Sequence, residues 1–450
     1  MRALLCILLI ALSLPAAALA DVPIDLYVGT TGNDTNNDCQ QANAPCRTLQ
    51  HALAKTFPGT TNIVKIARGN YQEKATLYIP SRHAIIFEGG WNADFTGHTC
   101  NPAGTIIIAA ANSSGRQILF RAHANGTGQR VNMTLRCLTL KKNSNSQSYE
   151  AIAFSADAGS IGLLSLDYMQ IIGFNYDTLS VGSWNNSTVT ATIAHSLFND
   201  NTGNYPIIDI FANSGIMTLN INHVLLRHND TASTGHSILG ISTFGTGKIN
   251  ASIQNTIIAD NQVGNASPFS VESQANSTIS LKSTNNTITD NTSSRGNGYG
   301  FSALTFNSSK ITLNLYNTIL RDNHGTSLDK EIYFQQSDTA ILSFTADYCM
   351  LGTHSSLGTI NYNSLNAVYG NPHLNTIYHL HPGSPAIDAG ICGYWDQSLS
   401  YQRIAPDDDI DGDKRPGPGT YLGCDIGADE YKPFPWPMFL PAIDHQRGNP

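Results

Sequence analysis

An all-β fold, a right-handed single-stranded parallel β-helix (a solenoid), is what this sequence predicts, and three observations predict it. The first is a repeat. Asn143, Asn175, Asn201, Asn229, Asn261, Asn291 and Asn323 follow one another at intervals of 32, 26, 28, 32, 30 and 32 residues. Three positions before each stands a large apolar residue: Leu140, Ile172, Phe198, Leu226, Ile258, Ile288 and Leu320. The second is composition. The repeats are rich in Ile, Val, Thr, Ser and Asn and poor in Ala, Glu and Lys, which favours strands and turns over helical repeats of similar period. The third is period-2 alternation, as in residues 219–221, 251–253 and 313–315. Stacked turns would pair each strand with its equivalent about 4.8 Å away. The recurring Asn is then expected at a left-handed bend, its amide bonded to the same amide one turn on.

The remaining elements follow in chain order. Residues 1–20 carry one Arg, an apolar run and a terminal Ala18-Leu19-Ala20, the pattern of a secretory leader cut before Asp21. Residues 21–100 are expected to form an N-terminal cap and the first coils. Leu26, Tyr27 and Val28 read as a strand and Gly32-Asn33-Asp34 as a turn. Residues 48–55 read as a short helix with Leu49, Ala52 and Leu53 on one face. Such a helix would cover the open edge of the first coil. Residues 101–365 hold the repeats, 366–432 an irregular C-terminal cap with an acidic loop, and 433–450 a Pro-rich tail.

Loss of Arg2 with the leader takes the net charge from −8 to −9. An acidic chain with few charges does not suit nucleic acid or an anionic membrane, and no stretch approaches the about 20 apolar residues of a transmembrane span. An exported, monomeric protein is expected. Seven cysteines follow the leader. Cys39 with Cys46 and Cys392 with Cys424 are expected to form disulfides. Cys100 and Cys137 are a third pairing to weigh against a buried Cys137 thiol, and Cys349 is expected to be a buried thiol.

Both ends of the chain resemble a known group. Tyr27-Val28, Gly32-Asn33-Asp34, Cys39, Pro45-Cys46-Arg47-Thr48 and Gly69-Asn70-Tyr71-Gln72-Glu73 resemble the opening of bacterial secreted parallel β-helix proteins with a pectate-lyase-like fold. The run from Leu380 through Pro382-Gly383-Ser384-Pro385-Ala386-Ile387-Asp388 to Gly390 is followed by Asp411-Gly412, Arg415-Pro416, Cys424-Asp425-Ile426-Gly427-Ala428 and Glu430. This is similar to the "choice-of-anchor Q" type, whose β-helix ends in such a signature before a variable attachment tail. The resemblance implies the fold, export and a surface-associated role. It implies no reaction and no catalytic residues.

Three groups of residues offer chemistry. Asp407, Asp409 and Asp411 with Gly412 match the first half of a calcium loop, but Pro418 stands where an EF-hand needs Glu. Calcium at these carboxylates is one expectation; a solvated turn is the bland alternative. Second, Asp200, His228, Asp260, Asp290 and Asp322 each precede a repeat Asn, with Arg227 and Arg321 one place earlier. Stacked, they would form a carboxylate column. Asp260, Asp290, Asp322 and Arg321 would then carry the chemistry of a polysaccharide lyase or glycoside hydrolase, although Asp-Asn is also ordinary turn chemistry. His195 and His223 share a position in adjacent turns, where a metal-binding pair competes with plain stacking. Third, Trp91, Trp184, Trp395, Trp436 and the 18 Tyr could stack on sugar rings if exposed, although such residues more often fill the core or the caps. The G-H-G and R-I-K blocks of β-helix polygalacturonases and the W-I-D-H signature of calcium pectate lyases are missing. The reading that follows is a surface or extracellular module binding polysaccharide. The enzyme is the alternative, and a purely structural stalk is the third reading.

Overall fold

The computed structural model describes residues 22–110, 116–143, 148–296, 298–325, 331–398, 400–417 and 423–432. The expected leader and the tail 433–450 lie outside them. Each turn of chain contributes a strand to a 17-stranded sheet and another to a 10-stranded sheet. In the first sheet Ile161–Ile172 pairs with Arg130–Lys142 on one side and Thr188–Asn199 on the other. Ile216–Arg227 and Lys248–Ala259 follow, always parallel. The second sheet runs from Leu77–Ile79 to His354–Leu357. Stacking of successive turns into parallel ladders is the β-helix expected, right-handed as parallel crossovers are. Among the described residues no helix is long and apolar enough to cross a membrane.

Alternation explains the core. Leu164 and Leu166 point inward and Leu163 and Ser165 outward. At Tyr168 the backbone turns left-handed and the parity resets, so Met169 and Ile171 point inward next. The same bend recurs at Cys137, His195, His223, Asn255, Asn285, Asn317 and Tyr348, with φ between 43° and 59°. A second column of left-handed residues comprises Asp200, His228, Asp260, Asp290 and Asp322. Asp, Asn and His accept this conformation at least cost after Gly, which is why they stand at the corners.

The Asn ladder forms, with two corrections. The Nδ2 of Asn201 donates to Oδ1 of Asn229 (3.0 Å), Asn229 to Asn261 (3.0 Å), Asn261 to Asn291 (2.9 Å) and Asn291 to Asn323 (2.8 Å). Asn143 and Asn175 do not extend it. Ile171, not Ile172, pairs with Leu140 and Phe198, so Phe174 occupies the Asn201 position and Asn175 lies one residue beyond. The left-handed residue is also the one before each Asn rather than the Asn itself. The ladder ends on a carboxylate: Asn323 Nδ2 donates to Oε2 of Glu331 at 2.7 Å. Burial pushes the Glu331 carboxyl up to about 7 despite that bond.

The N-terminal helix is Leu49–Leu53, shorter than expected, with Thr48 as N-cap and Leu49, Ala52 and Leu53 buried. Asp34 accepts from the backbone N–H of Arg47 (2.7 Å) and the hydroxyl of Thr48 (2.8 Å), and Glu73 accepts from Leu49 N–H (2.9 Å). The Asp, Thr and Glu of the opening motif thus fasten the helix to the first coil. Cysteines pair as Cys39–Cys46, Cys100–Cys137 and Cys392–Cys424, and Cys349 is a buried thiol.

The described residues of 366–432 run back along the flank of the coil. Asn317 exchanges hydrogen bonds with the backbone of Ile391, Asn285 donates to the Asp425 and Gly427 carbonyls, and Asn255 donates to that of Asp408. Outward apolar residues of the first sheet complete the seam: Ile319 and Met350 pack on Leu380, Ala386 and Ile426, and Ile257 on Tyr378 and Ala428. The buried Arg415 holds the segment together through Glu430 (2.8 Å) and the carbonyls of Gly427 and Ala428. The C-terminal signature residues therefore have a folding role here.

Candidate functional site

A concavity of about 760 Å³ lies on the outer face of the second sheet. Its floor is a grid of outward positions set by register. One row is Asp209, Gly240, Ser270, Ser302 and Tyr333; the next is Gly182, Phe211, Ser242, Glu272 and Leu304; a third holds Trp184, Asn213 and Phe244. Glycine and serine in the centre keep the floor low, and rings stand at both ends. A Cβ on Gly182 would meet the Phe211 ring at 2.4 Å and the Trp184 indole nitrogen at 2.9 Å, so glycine there makes room for both. Loops between turns add one wall, with Tyr205, Pro206, His236, Ser237, Asn265 and Tyr299. The trough spans six strands, about 24 Å.

The rings order one another. Trp184 meets Phe211 edge-on at 5.1 Å, Tyr205 stacks on His236 at 5.3 Å, and Tyr299 stacks on Tyr333 at 5.0 Å. Tyr205 keeps 44% of its surface exposed. Two carboxylates share the floor. Burial, then the nearby Asp177 and Glu150, push the Asp209 carboxyl up to about 7. Although deep, Asp209 still opens partly to the trough. Glu272 Oε1 accepts from Nε2 of Gln274. Two rungs and two residues separate Asp209 from Glu272, about 12 Å between Cα atoms. A carboxyl pushed up to about 7, serine hydroxyls and aromatic faces in one trough suit a polar ligand that also presents C–H surfaces.

The sequence-predicted residues lie elsewhere. Asp200, His228, Asp260, Asp290 and Asp322 do stack as a column, at the corner beside the three-stranded sheet. His228 lies 4.0 Å from Asp200 and 3.9 Å from Asp260, and the Tyr378 hydroxyl donates to Asp260. Burial raises the Asp290 carboxyl, with Asp260 and Asp322 adding to it. Arg227 and Arg321 stand one residue before His228 and Asp322, half-buried. None of these residues lines the trough. Their shared left-handed backbone gives each a turn-forming role.

In the acidic loop, the three carboxylates expected around calcium face three ways. Asp407 pairs with Arg403 at 2.8 Å, Asp411 faces His379 at 3.1 Å, and Asp409 turns inward. Asp409 accepts from the backbone N–H groups of Asp411, Asp413 and Glu430. The structure instead gathers His379, Asp411 and Asp429, whose ligand atoms lie within 4.8 Å of one another. His195 and His223 stack as adjacent-turn partners, ring centroids 4.8 Å apart.

Sequence reasoning named Trp184 only as one of four tryptophans that could stack on sugars, and did not pick out Asp209, Glu272, Phe211, Phe244, Tyr299 or Tyr333. The available signal was the alternation of residues 208–213 and 239–244, which puts Asp209, Phe211 and Phe244 on an outward face.

No family model matches the chain, and no curated protein matches it. Among solved structures it is similar to that titled "Crystal structure of pectate lyase Pel9A", with TM-score 0.40 and 11% identity over 92% of this chain and 98% of that one. A second, "Geobacillus virus E2 - ORF18", is similar with TM-score 0.34 and 12% identity, over 76% of this chain and 60% of that one.

Proposed function

We propose that this chain is an exported β-helix module that binds a neutral polysaccharide in the aromatic trough of its second sheet, at a cell surface or in the extracellular matrix. The observation that carries the reading is the trough itself, with Trp184, Phe211, Phe244, Tyr205, Tyr299 and Tyr333 around a floor of glycine and serine. Sugar rings offer C–H faces to aromatic rings and hydroxyls to serine and asparagine side chains, and an extended trough suits a chain of such units. Asp209 and Glu272 on the floor disfavour a polyanionic glycan. The leader-like residues 1–20, the three disulfides and the resemblance of the C-terminal signature to the choice-of-anchor Q type support export and surface association.

A second reading, glycoside hydrolysis in the same trough, is favoured by Asp209. A carboxyl pushed up to about 7 can donate a proton at neutral pH, with Glu272 as the partner base. One experiment addresses both readings. The mature protein and its Trp184→Ala and Tyr333→Ala variants are run by affinity electrophoresis through neutral and acidic polysaccharides, and the gels are assayed for new reducing ends. Binding to a neutral glycan, weakened about tenfold by either substitution, supports the module; a tenfold loss corresponds to about 1.4 kcal/mol. Reducing ends lost in Asp209→Asn would establish hydrolysis. Retardation by none of the glycans would reject both.

A further inference from the structure

Among the described residues, the stack of coils ends on an uncovered strand edge. Asn361–Leu365 is the last strand of the first sheet in chain order, pairs there only with Ile341–Asp347, and is exposed at all five residues. The ring column in the lumen ends at the same place. Phe344 is buried, Tyr362 stacks on it at 5.2 Å and His354 on Tyr362 at 4.4 Å, yet Tyr362 keeps 36% of its surface exposed. At the other end of the solenoid the helix Leu49–Leu53 lies over the first coil. An exposed strand edge invites pairing with further chain, and solenoids cap their ends for that reason.

The edge has a definite polarity. Ile341 N–H donates to Ser309 and Leu365 C=O accepts from Tyr348 N–H, so residues with outward side chains turn their backbone groups to the preceding coil. By alternation Tyr362 and Ser364, in register with the inward Phe344 and Ala346, turn theirs to the uncovered side. A strand laid antiparallel along that side meets it with the backbone of its own inward residues; a parallel strand would meet it with its outward ones.

Residues 433–438 carry the complementary pattern. Pro433, Pro435 and Pro437 alternate with Phe434, Trp436 and Met438. Proline has no N–H, and alternate residues of a strand face the same side, so every N–H of this stretch falls on one side. Such a strand takes one neighbour and ends the ladder, which is the place proline takes in sheets. The starting point sets the direction. Tyr431 and Val368 pack on one cluster with Ile319 and Met350, and Val368 lies just past the C-terminal end of Asn361–Leu365. Chain leaving Tyr431 along the edge therefore runs antiparallel to that strand. In that direction the residues with N–H groups are the inward ones, and Phe434 and Trp436 extend the ring column over Tyr362. Six extended residues span about 20 Å, enough for the about 17 Å of a five-residue strand.

We propose that residues 433–438 dock as an antiparallel cap strand on the edge of Asn361–Leu365, with Phe434, Trp436 and Met438 inward and the three prolines outward. The proline side then leaves no N–H row on which a second copy of the chain could continue the sheet.

The test is amide hydrogen exchange, read by mass spectrometry over residues 361–365. It compares the untagged mature chain, a chain ending at Lys432 and two variants, with circular dichroism to confirm folding and light scattering to give the mass. Exchange in the full chain should be at least about tenfold slower than in the shortened one. Pro435→Ala adds an N–H on the outward side and should keep the protection. Trp436→Pro removes an inward N–H and should lose it. Equal exchange in the full and shortened chains, protection that survives Trp436→Pro, or loss of it in Pro435→Ala would each overturn the proposal. Protection found only in a dimer would also overturn it, in favour of a second copy on the same edge.

Discussion

Substituting Asn261 by alanine tests whether the side-chain ladder holds the stack of turns together. Asn261 makes five side-chain hydrogen bonds. Its Oδ1 accepts from the backbone N–H (2.9 Å) and the Nδ2 (3.0 Å) of Asn229. Its Nδ2 donates to Oδ1 of Asn291 (2.9 Å) and to the carbonyls of Leu226 (3.0 Å) and Ala259 (2.9 Å). In Asn261→Ala, Asn229 Nδ2 keeps Phe198 O, and Asn291 Oδ1 keeps the backbone N–H at 261. The buried Asn229 N–H loses its side-chain acceptor. An orphaned buried donor costs about 1–3 kcal/mol, and the other four bonds, several of them shared, contribute roughly 0.5 kcal/mol each. The expected destabilisation is about 3–5 kcal/mol. Asn250→Ala, at an exposed position of the same turn, should stay within about 0.5 kcal/mol. Urea unfolding followed by far-ultraviolet circular dichroism gives both values, and amide exchange locates the effect. A loss for Asn261→Ala no larger than that for Asn250→Ala would refute the ladder as a source of stability.

Two further outcomes are expected. The Glu331 carboxyl stands at about 7 in the folded chain against an ordinary 4.5. Folding therefore favours its protonated form: the contribution is full below pH 4.5 and is lost as pH rises through 7. Melting temperature should fall across that window and fall less in Glu331→Gln; equal falls would remove Glu331 as the cause. Gly182→Ala places a methyl against the Phe211 and Trp184 rings. Such overpacking costs about 1–3 kcal/mol, so either stability in urea or glycan retardation should drop; no change in either would mean that the rings are not held as described.

The repeat was legible because each turn carries its own copy of the signal. An inward apolar residue, a left-handed corner and a ladder Asn recur within a few positions, and Leu140, Phe198, Leu226, Ile258, Ile288 and Leu320 are all buried where the pattern put them. The slip at Asn175 came from the same locality. Turn length changes there, and only pairing of Ile171 with Phe198 shows that Phe174 holds the ladder position. The helix at residues 49–53 and the bonding of Cys39 to Cys46 were readable for similar reasons, through a capping threonine and a short loop.

The sequence by itself determined a parallel β-helix, its corners and its core, because these depend on patterns repeated within each turn. Tertiary structure alone decided the trough and the flank. Trp184, Phe211, Phe244, Tyr299 and Tyr333 come from different turns, so only turn-to-turn register gathers them. The D-x-D-x-D-G loop read as either a calcium site or a solvated turn; in the structure Asp409 accepts from backbone N–H groups and Asp408 faces His223. That outcome follows from the fold-back of the described residues of 366–432 onto Asn255, Asn285 and Asn317, contacts made across 74 to 153 residues of chain. A local pattern can specify a turn, but not which distant surface that turn will cover.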